Sequence, residues 1–194
     1  MTDPALIAKT LRDGGVALLP TDTVYGLAVH PEHDAAVDRL FALKARPRTR
    51  NLPIMVGSVD QISLLGALVT PQAAKLLAAF APGPLTVALG LGDRAPFWLD
   101  GRVEIGVRIP AEQLMLDVLA LTGPLLVTSA NAHGNDTPET VPEILEQLAG
   151  EPDIVVDDGK RPVVPSTLVN CNLPEPRIER EGVLSAQQIE EALL

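Results

Sequence analysis

Short apolar runs, set between stretches with a helical period, restrict this chain's fold more than any other feature. Runs of four to seven apolar residues suit strands of a sheet core better than helices. Such runs predict strands at 16–19, 52–56, 85–91 and 124–128, alternation predicts one at 103–109, and shorter strands are expected at 153–156, 166–170 and 177–179. Periodicity near 3.6 predicts helices at 34–43, 59–68, 71–80, 111–121, 138–148 and 186–193. A first helix is expected to start at Pro4, with Thr2 or Asp3 as its cap, and to stop at Gly14-Gly15. Alternation of the two element types indicates an α/β fold. The last three strands follow one another too closely for helical crossovers, so part of the sheet must be antiparallel. Most of the 18 prolines fall between elements and stiffen the loops, and no linker stands out.

Composition narrows the function classes. At 194 residues and 46% hydrophobic, the chain has enough apolar material for one sizeable core. A formal net charge of -10 disfavours non-specific contact with nucleic acid or anionic membrane. A lone cysteine, Cys171, allows no internal disulfide and fits a reducing compartment. The N-terminus has no basic stretch followed by an apolar run, and no segment approaches a membrane-spanning length of roughly 18 to 20 residues. A cytoplasmic protein with no membrane association is expected.

One cluster opposes the acidic background. Lys44, Arg46, Arg48 and Arg50 alternate in Lys44-Ala-Arg-Pro-Arg-Thr-Arg50, and Pro47 disfavours a helical Arg46. In an extended segment, alternate side chains leave on one face, so a row of cations suited to a phosphate chain is expected. Other motifs lead to bland structure. Gly90-Leu-Gly92-Asp-Arg-Ala95 matches a permissive dinucleotide fingerprint, but Pro96 and Gly101 follow where its helix should run, so a turn is expected. No Gly-x-x-x-x-Gly-Lys-Ser/Thr loop and no Gly-x-Ser-x-Gly elbow is present. His30 and His33 lack a third nearby His or Cys and read as a solvated turn, as does Asp157-Asp158-Gly159.

Polar residues then recur directly beside apolar strands. Residues 16–19 run into Pro20-Thr-Asp-Thr-Val-Tyr-Gly-Leu-Ala28, Thr128 runs into Ser129-Ala-Asn131, and Pro165-Ser-Thr167 opens a further strand. Strand ends are where α/β proteins commonly bind ligands.

These blocks, with Lys44-x-Arg46-Pro47, Pro82-Gly-Pro-Leu-Thr86 and Gly106-Val-Arg-Ile-Pro110, occur in the order of the YrdC-like threonylcarbamoyl-AMP synthases. The chain resembles that family from about Gly15 to Gly182 and matches its short form, a single YrdC-like domain over 1–194. The resemblance implies a strongly twisted mixed sheet, parallel and antiparallel, with surrounding helices and one large electropositive cavity. It also implies condensation of L-threonine, bicarbonate or CO₂ and ATP into threonylcarbamoyl-AMP and pyrophosphate, with Mg²⁺ held through the ATP phosphates. The product would serve a downstream tRNA-modifying threonylcarbamoyl transferase complex, with direct tRNA binding weak or absent.

By position, the resemblance implies catalytic roles for Lys44 and Arg46, and a nucleotide site of Lys44, Arg46, Arg50, Thr86, Ser129, Asn131 and Arg180. Thr21, Thr23, Ser166 and Arg108 would hold threonine. Two departures concern this site: Arg50-Asn-Leu-Pro53 replaces the family's usual Lys or Asn before Pro-Leu, and Met55 stands where some members have histidine. None of the motifs holds a histidine or a carboxylate except Asp22, so catalysis by positioning and electrostatics is expected, without a covalent intermediate. The alternative is a non-catalytic paralogue that uses the cavity to bind nucleotide or RNA.

Overall fold

The computed structural model describes residues 3–48 and 51–194. Arg50, one of the expected nucleotide ligands, and Thr2, one of the expected caps, therefore lie outside the described residues. Helix α1 (Pro4–Arg12) begins where Asp3 accepts from the Ala5 amide at 2.9 Å and Pro4 occupies the first turn. It buries Ile7, Ala8 and Leu11, and Gly14 at φ 84 carries the chain away.

Strands β1 (Ala17–Leu19) and β2 (Gly26–Val29) form an antiparallel pair, with Ala17 opposite Ala28 and Leu19 opposite Gly26. Helix α2 (Asp34–Leu43) leads through Lys44 to β3 (Ile54–Met55) and α3 (Val59–Leu64). Next come β4 (Ala67–Leu68), α4 (Pro71–Phe80), β5 (Leu85–Leu91), a 3₁₀ turn (Phe97–Leu99) and β6 (Glu104–Arg108). Then follow α5 (Gln113–Thr122), β7 (Leu125–Ser129), α6 (Val141–Gln147), β8 (Ile154–Val155), β9 (Thr167–Asn170), β10 (Arg177–Arg180) and α7 (Ala186–Leu193). The peptide between Ala81 and Pro82 is cis.

All strands join one sheet in the order β10-β9-β5-β6-β3-β7-β2-β1-β8, with β4 added beside β5. β1 with β8, β3 with β6 and β5 with β9 are parallel; the other pairs are antiparallel. The mixed α/β sheet expected from the sequence is present.

The two faces of this sheet differ, and the difference creates the site. On one face Leu18, Leu27, Leu85, Val87, Leu89, Ile105, Val107 and Val169 pack against residues of α2, α3, α4, α6 and α7. On the other, α1 and α5 cover only part of the sheet, packing Ile7, Leu11, Met115, Val118 and Leu119 on Ala17, Leu19, Ala28, Leu125 and Val127. Farther along that second face, β5 and β6 present Thr86, Ala88, Glu104, Gly106 and Arg108, which line a cavity instead of a core. Strand alternation thus sends bulky apolar side chains one way and small or polar ones the other.

Four expectations need correction. Residues 26–29 were assigned no strand from the sequence, but they form β2, because an antiparallel register with β1 gives Gly-Leu-Ala-Val a partner. The helix expected over 59–68 stops at Leu64: Gly66 takes φ 69, and its carbonyl accepts from Gly92 N at 2.9 Å, turning the chain into β4. The helix expected from Pro138 starts at Val141, where Thr140 and Glu143 close a capping box. Over its described residues, 44–48, the cation segment is not an extended row. Lys44 keeps a helical backbone, Ala45 turns left-handed at φ 49, and the Arg46 amide reaches back to Phe41 O at 3.0 Å.

The Thr167 hydroxyl is one anchor of the C-terminal segment. Thr167 Oγ1 donates to Leu184 O at 2.6 Å and accepts from Gly182 N at 2.9 Å and Leu184 N at 3.0 Å. Thr167→Val, which keeps the shape and removes these bonds, should destabilise the fold by about 2–3 kcal/mol. A urea midpoint within error of the wild type would disprove that anchoring role. No helix among the described residues is long and apolar enough to cross a membrane.

Candidate functional site

The uncovered half of the sheet holds a cavity of about 570 Å³. Thr21, Thr23, Arg46, Thr86, Arg108, Ser129, Ser166 and Arg180 are on its wall, together with Met55, Thr128, Glu104 and Glu179. Eight residues expected from separate stretches of sequence therefore meet in one place.

The turn after β1 supplies Thr21 and Thr23. Thr21 Oγ1 donates to Val24 O at 2.6 Å and accepts from the Thr23 and Val24 amides, both at 3.2 Å. That hydroxyl is spent on shaping the turn. Thr23 Oγ1 instead accepts from Arg108 Nη1 at 2.7 Å. Arg108, at the end of β6, also donates from Nη2 to Asp22 Oδ1 at 2.7 Å and from Nε to Gly83 O at 3.1 Å. Burial pushes the Arg108 guanidinium down from its usual pKa, and the Asp22 carboxylate opposes the shift. The Asp22 carboxylate is held in this ion pair, and Asp22 is not on the cavity wall. The one carboxylate of the motifs is therefore engaged in bracing the turn.

A second network joins β5, β9 and β10. Thr86 Oγ1 and Ser166 Oγ lie 2.7 Å apart. Arg180 donates to Ser166 O at 2.9 and 3.1 Å and to Ser166 Oγ at 3.2 Å. Burial, and next the charge of Arg108, lower the Arg180 pKa. Thr86 and Arg180, expected with the nucleotide, thus touch Ser166, expected with threonine.

Arg46 reaches the wall from the other side, with Nη1 on Thr128 Oγ1 at 3.2 Å and its guanidinium 5.9 Å from the Phe41 ring centre. Ser129 Oγ donates to Asn131 Oδ1 at 2.5 Å. Lys44 and Asn131 are not on the cavity wall. The Lys44 ammonium donates to Ser129 O at 2.5 Å, Asn131 O at 2.5 Å and Asn131 Oδ1 at 3.2 Å. Arg48 leaves the cluster altogether and pairs with Asp34 and Asp38 on the exposed side of α2.

Burial, with the neighbouring Arg46 charge second, brings the Lys44 pKa down to about 8. Its proton should accordingly leave as the pH rises through about 8, where an exposed lysine titrates near 10.4. Because the unfolded chain then binds more protons, this lysine's contribution to stability should grow from pH 8 upward until the unfolded form also titrates. An Nζ resonance that titrates like that of a free lysine would refute the shift.

Glu104 and Glu179 were missed by sequence reasoning. Asn170 Nδ2 bridges them, at 3.3 Å to Glu104 and 2.9 Å to Glu179, so the wall carries both signs of charge. The signal for Glu104 was present in the sequence, since it shares a strand face with Gly106 and Arg108. Met55, paired in register with Arg108, supplies apolar wall. Among the described residues, no group of three His, Cys, Asp or Glu side chains could hold a metal ion.

Comparison with known proteins identifies relatives across most of the chain. The Sua5/yciO/yrdC family model, described as telomere recombination, matches residues 9–182. A threonylcarbamoyl-AMP synthase of Pyrococcus abyssi is 30% identical over 191 residues, covering 97% of this chain and 56% of the relative. The chain thus spans little more than half the length of that protein. A threonylcarbamoyl-AMP synthase of Pseudomonas aeruginosa is 33% identical over 150 residues, covering 77% of this chain and 81% of the relative. The crystal structure of P. abyssi Sua5 complexed with L-threonine superposes with a TM-score of 0.89 at 30% identity, over 97% of this chain and 56% of that one. E. coli YciO superposes with a TM-score of 0.85 at 26% identity, over 97% of this chain and 95% of that one.

Proposed function

The chain belongs to the Sua5/YciO/YrdC family, and on that premise we propose that its cavity condenses L-threonine, bicarbonate or CO₂ and ATP into threonylcarbamoyl-AMP and pyrophosphate. The observation that carries this most is the convergence of Arg46, Arg108 and Arg180 with Thr23, Thr86, Ser129 and Ser166 on one wall. A volume of about 570 Å³ is in the range of small-molecule sites.

The neutral threonine amine attacks the carbon of CO₂ and, with loss of an N–H proton to water, gives a carbamate. A carbamate oxygen then attacks the α-phosphorus of ATP, the bond to the bridging oxygen breaks, and pyrophosphate leaves with the electron pair. Both partners of the second step are anions. At about 4 Å and an effective dielectric near 20, each unit pair of like charges costs roughly 4 kcal/mol. Cationic arginines on the wall offset that repulsion and stabilise the leaving charge. Arg46 and Arg180, with Ser129 nearby, are assigned to the nucleotide, joined by Arg50. Thr23, Ser166 and the Arg108 brace are assigned to threonine, with the Thr86–Ser166 contact where the two meet. Asn131 shapes the Ser129 turn, and Thr21 shapes the turn that carries Thr23.

A magnesium ion would arrive on the nucleotide, held through its phosphates. When bound, it supplies positive charge to the phosphates. With Asp22 engaged by Arg108, positioning and electrostatics carry the chemistry. The product is a reactive mixed anhydride, consumed by a downstream threonylcarbamoyl transferase complex that modifies tRNA. The chain's net charge of -10 disfavours an extended tRNA contact of its own. ATP, tRNA and a reduced Cys171 all fit the cytoplasm.

Incubation with ATP, Mg²⁺, bicarbonate and single amino acids tests this. Pyrophosphate release should depend on threonine. ATP bound but unchanged with every amino acid would support the nucleotide-binding alternative.

A further inference from the structure

Lys44 is only 2% exposed, yet it lies behind the cavity wall rather than on it. An ammonium has three N–H donors. Here each has an acceptor: Ser129 O, Asn131 O and Asn131 Oδ1. No donor remains for a phosphate oxygen. The hold is mutual, because Lys44 O accepts from His133 N at 2.7 Å. Asn131 extends it by donating from Nδ2 to Ala132 O at 3.0 Å and Asn135 O at 2.8 Å. The segment from Ser129 to Asn135 is thus built around one buried positive charge.

We propose that Lys44 is a positioning residue: it sets the Ser129–Asn131 segment, and through it the nucleotide-facing wall, without touching the phosphates. The proposal rests on the reading that this cavity takes a nucleotide. Hydrogen bonds to a charged donor are among the stronger ones, so removing three should loosen the segment locally.

The test is Lys44→Met, which keeps length and removes charge. Amide hydrogen exchange at Asn131, Ala132 and His133 should accelerate at least about tenfold, with amides of β5 and β9 unchanged. Unchanged exchange at those three amides overturns the proposal. This readout needs no nucleotide, so it decides the role of Lys44 even if the wild-type protein neither binds nor turns over ATP, an outcome that would sink the functional reading alone. Should Lys44→Met fail to fold, Lys44→Gln, with two donors, is expected to show the same pattern at smaller amplitude.

In the active protein, a double-mutant cycle separates positioning from contact. Lys44→Met combined with Asn131→Ala should lower kcat/KM for ATP no more than about twofold beyond the worse single variant. Lys44→Met combined with Arg46→Ala should be multiplicative. The reverse pattern would mean that the ammonium itself meets the phosphates.

Discussion

Arg46→Ala is expected to lower threonine-dependent pyrophosphate release by about 10²- to 10³-fold in kcat, with the circular dichroism spectrum unchanged. The side chain sits on the cavity wall near the end of β7, where its Nη1 donates to the Thr128 hydroxyl, so its positive charge borders the space an anion would occupy. Its removal leaves the core intact: Phe41, over which the guanidinium lies, stays buried among α2 residues. Arg46→Lys should recover part of the loss, because a point charge replaces a planar fork. Near-normal turnover of Arg46→Ala would remove the residue from the chemistry.

Arg108→Met should act on the fold as much as on the reaction. The Arg108 and Asp22 side chains are 5% and 15% exposed, and the guanidinium ties β6 to the Thr21–Val24 turn and to Gly83. Breaking a buried pair leaves the remaining charge without compensation, at about 3–5 kcal/mol. For a chain of this length that corresponds to a fall in Tm of about 10 °C. Asp22→Asn in the same protein should return part of this stability, since the stranded carboxylate is then gone, but not threonine binding. A Tm equal to that of the wild type in Arg108→Met would contradict the brace.

Much of the scaffold was legible because local signals agreed. α4 begins at Pro71 behind a Thr70 cap and carries Ala73, Leu76 and Leu77 on one face, so cap, proline and period give the same bounds. β5 was equally plain as an apolar run, interrupted by Thr86 and Gly90, between Pro84 and a glycine-rich turn. β2 was not, because Gly26-Leu-Ala-Val29 has no local strand signal and owes its state to β1 and β7 on either side. The helix over 59–68 broke for a similar reason. Gly66 is turned by its contact with Gly92, far away in sequence.

The site divides in the same way. Thr23, Thr86, Arg108, Ser129, Ser166 and Arg180 were identified from motifs and share one cavity, since each lies at or near a strand end on the uncovered face. The cation cluster was legible as composition but not as geometry. Pro47 suggested extended backbone, whereas the end of α2 turns Lys44 inward and lets Arg48 fold back onto Asp34 and Asp38. No spacing rule predicts that the ammonium of Lys44 finds two carbonyls of a strand end more than eighty residues away. Glu179 escaped notice because its link to Glu104 through Asn170 exists only once β9 lies beside β5 and β10.

The most direct measurement follows the one-carbon unit. The protein is incubated with ATP, Mg²⁺, L-threonine and ¹³C-bicarbonate, and the products are resolved by mass spectrometry and ¹³C NMR. The proposed chemistry predicts an adenylate that carries both the threonyl group and the labelled carbonyl, formed in step with pyrophosphate. Label found only in bicarbonate and CO₂, with ATP intact after prolonged incubation, would contradict it.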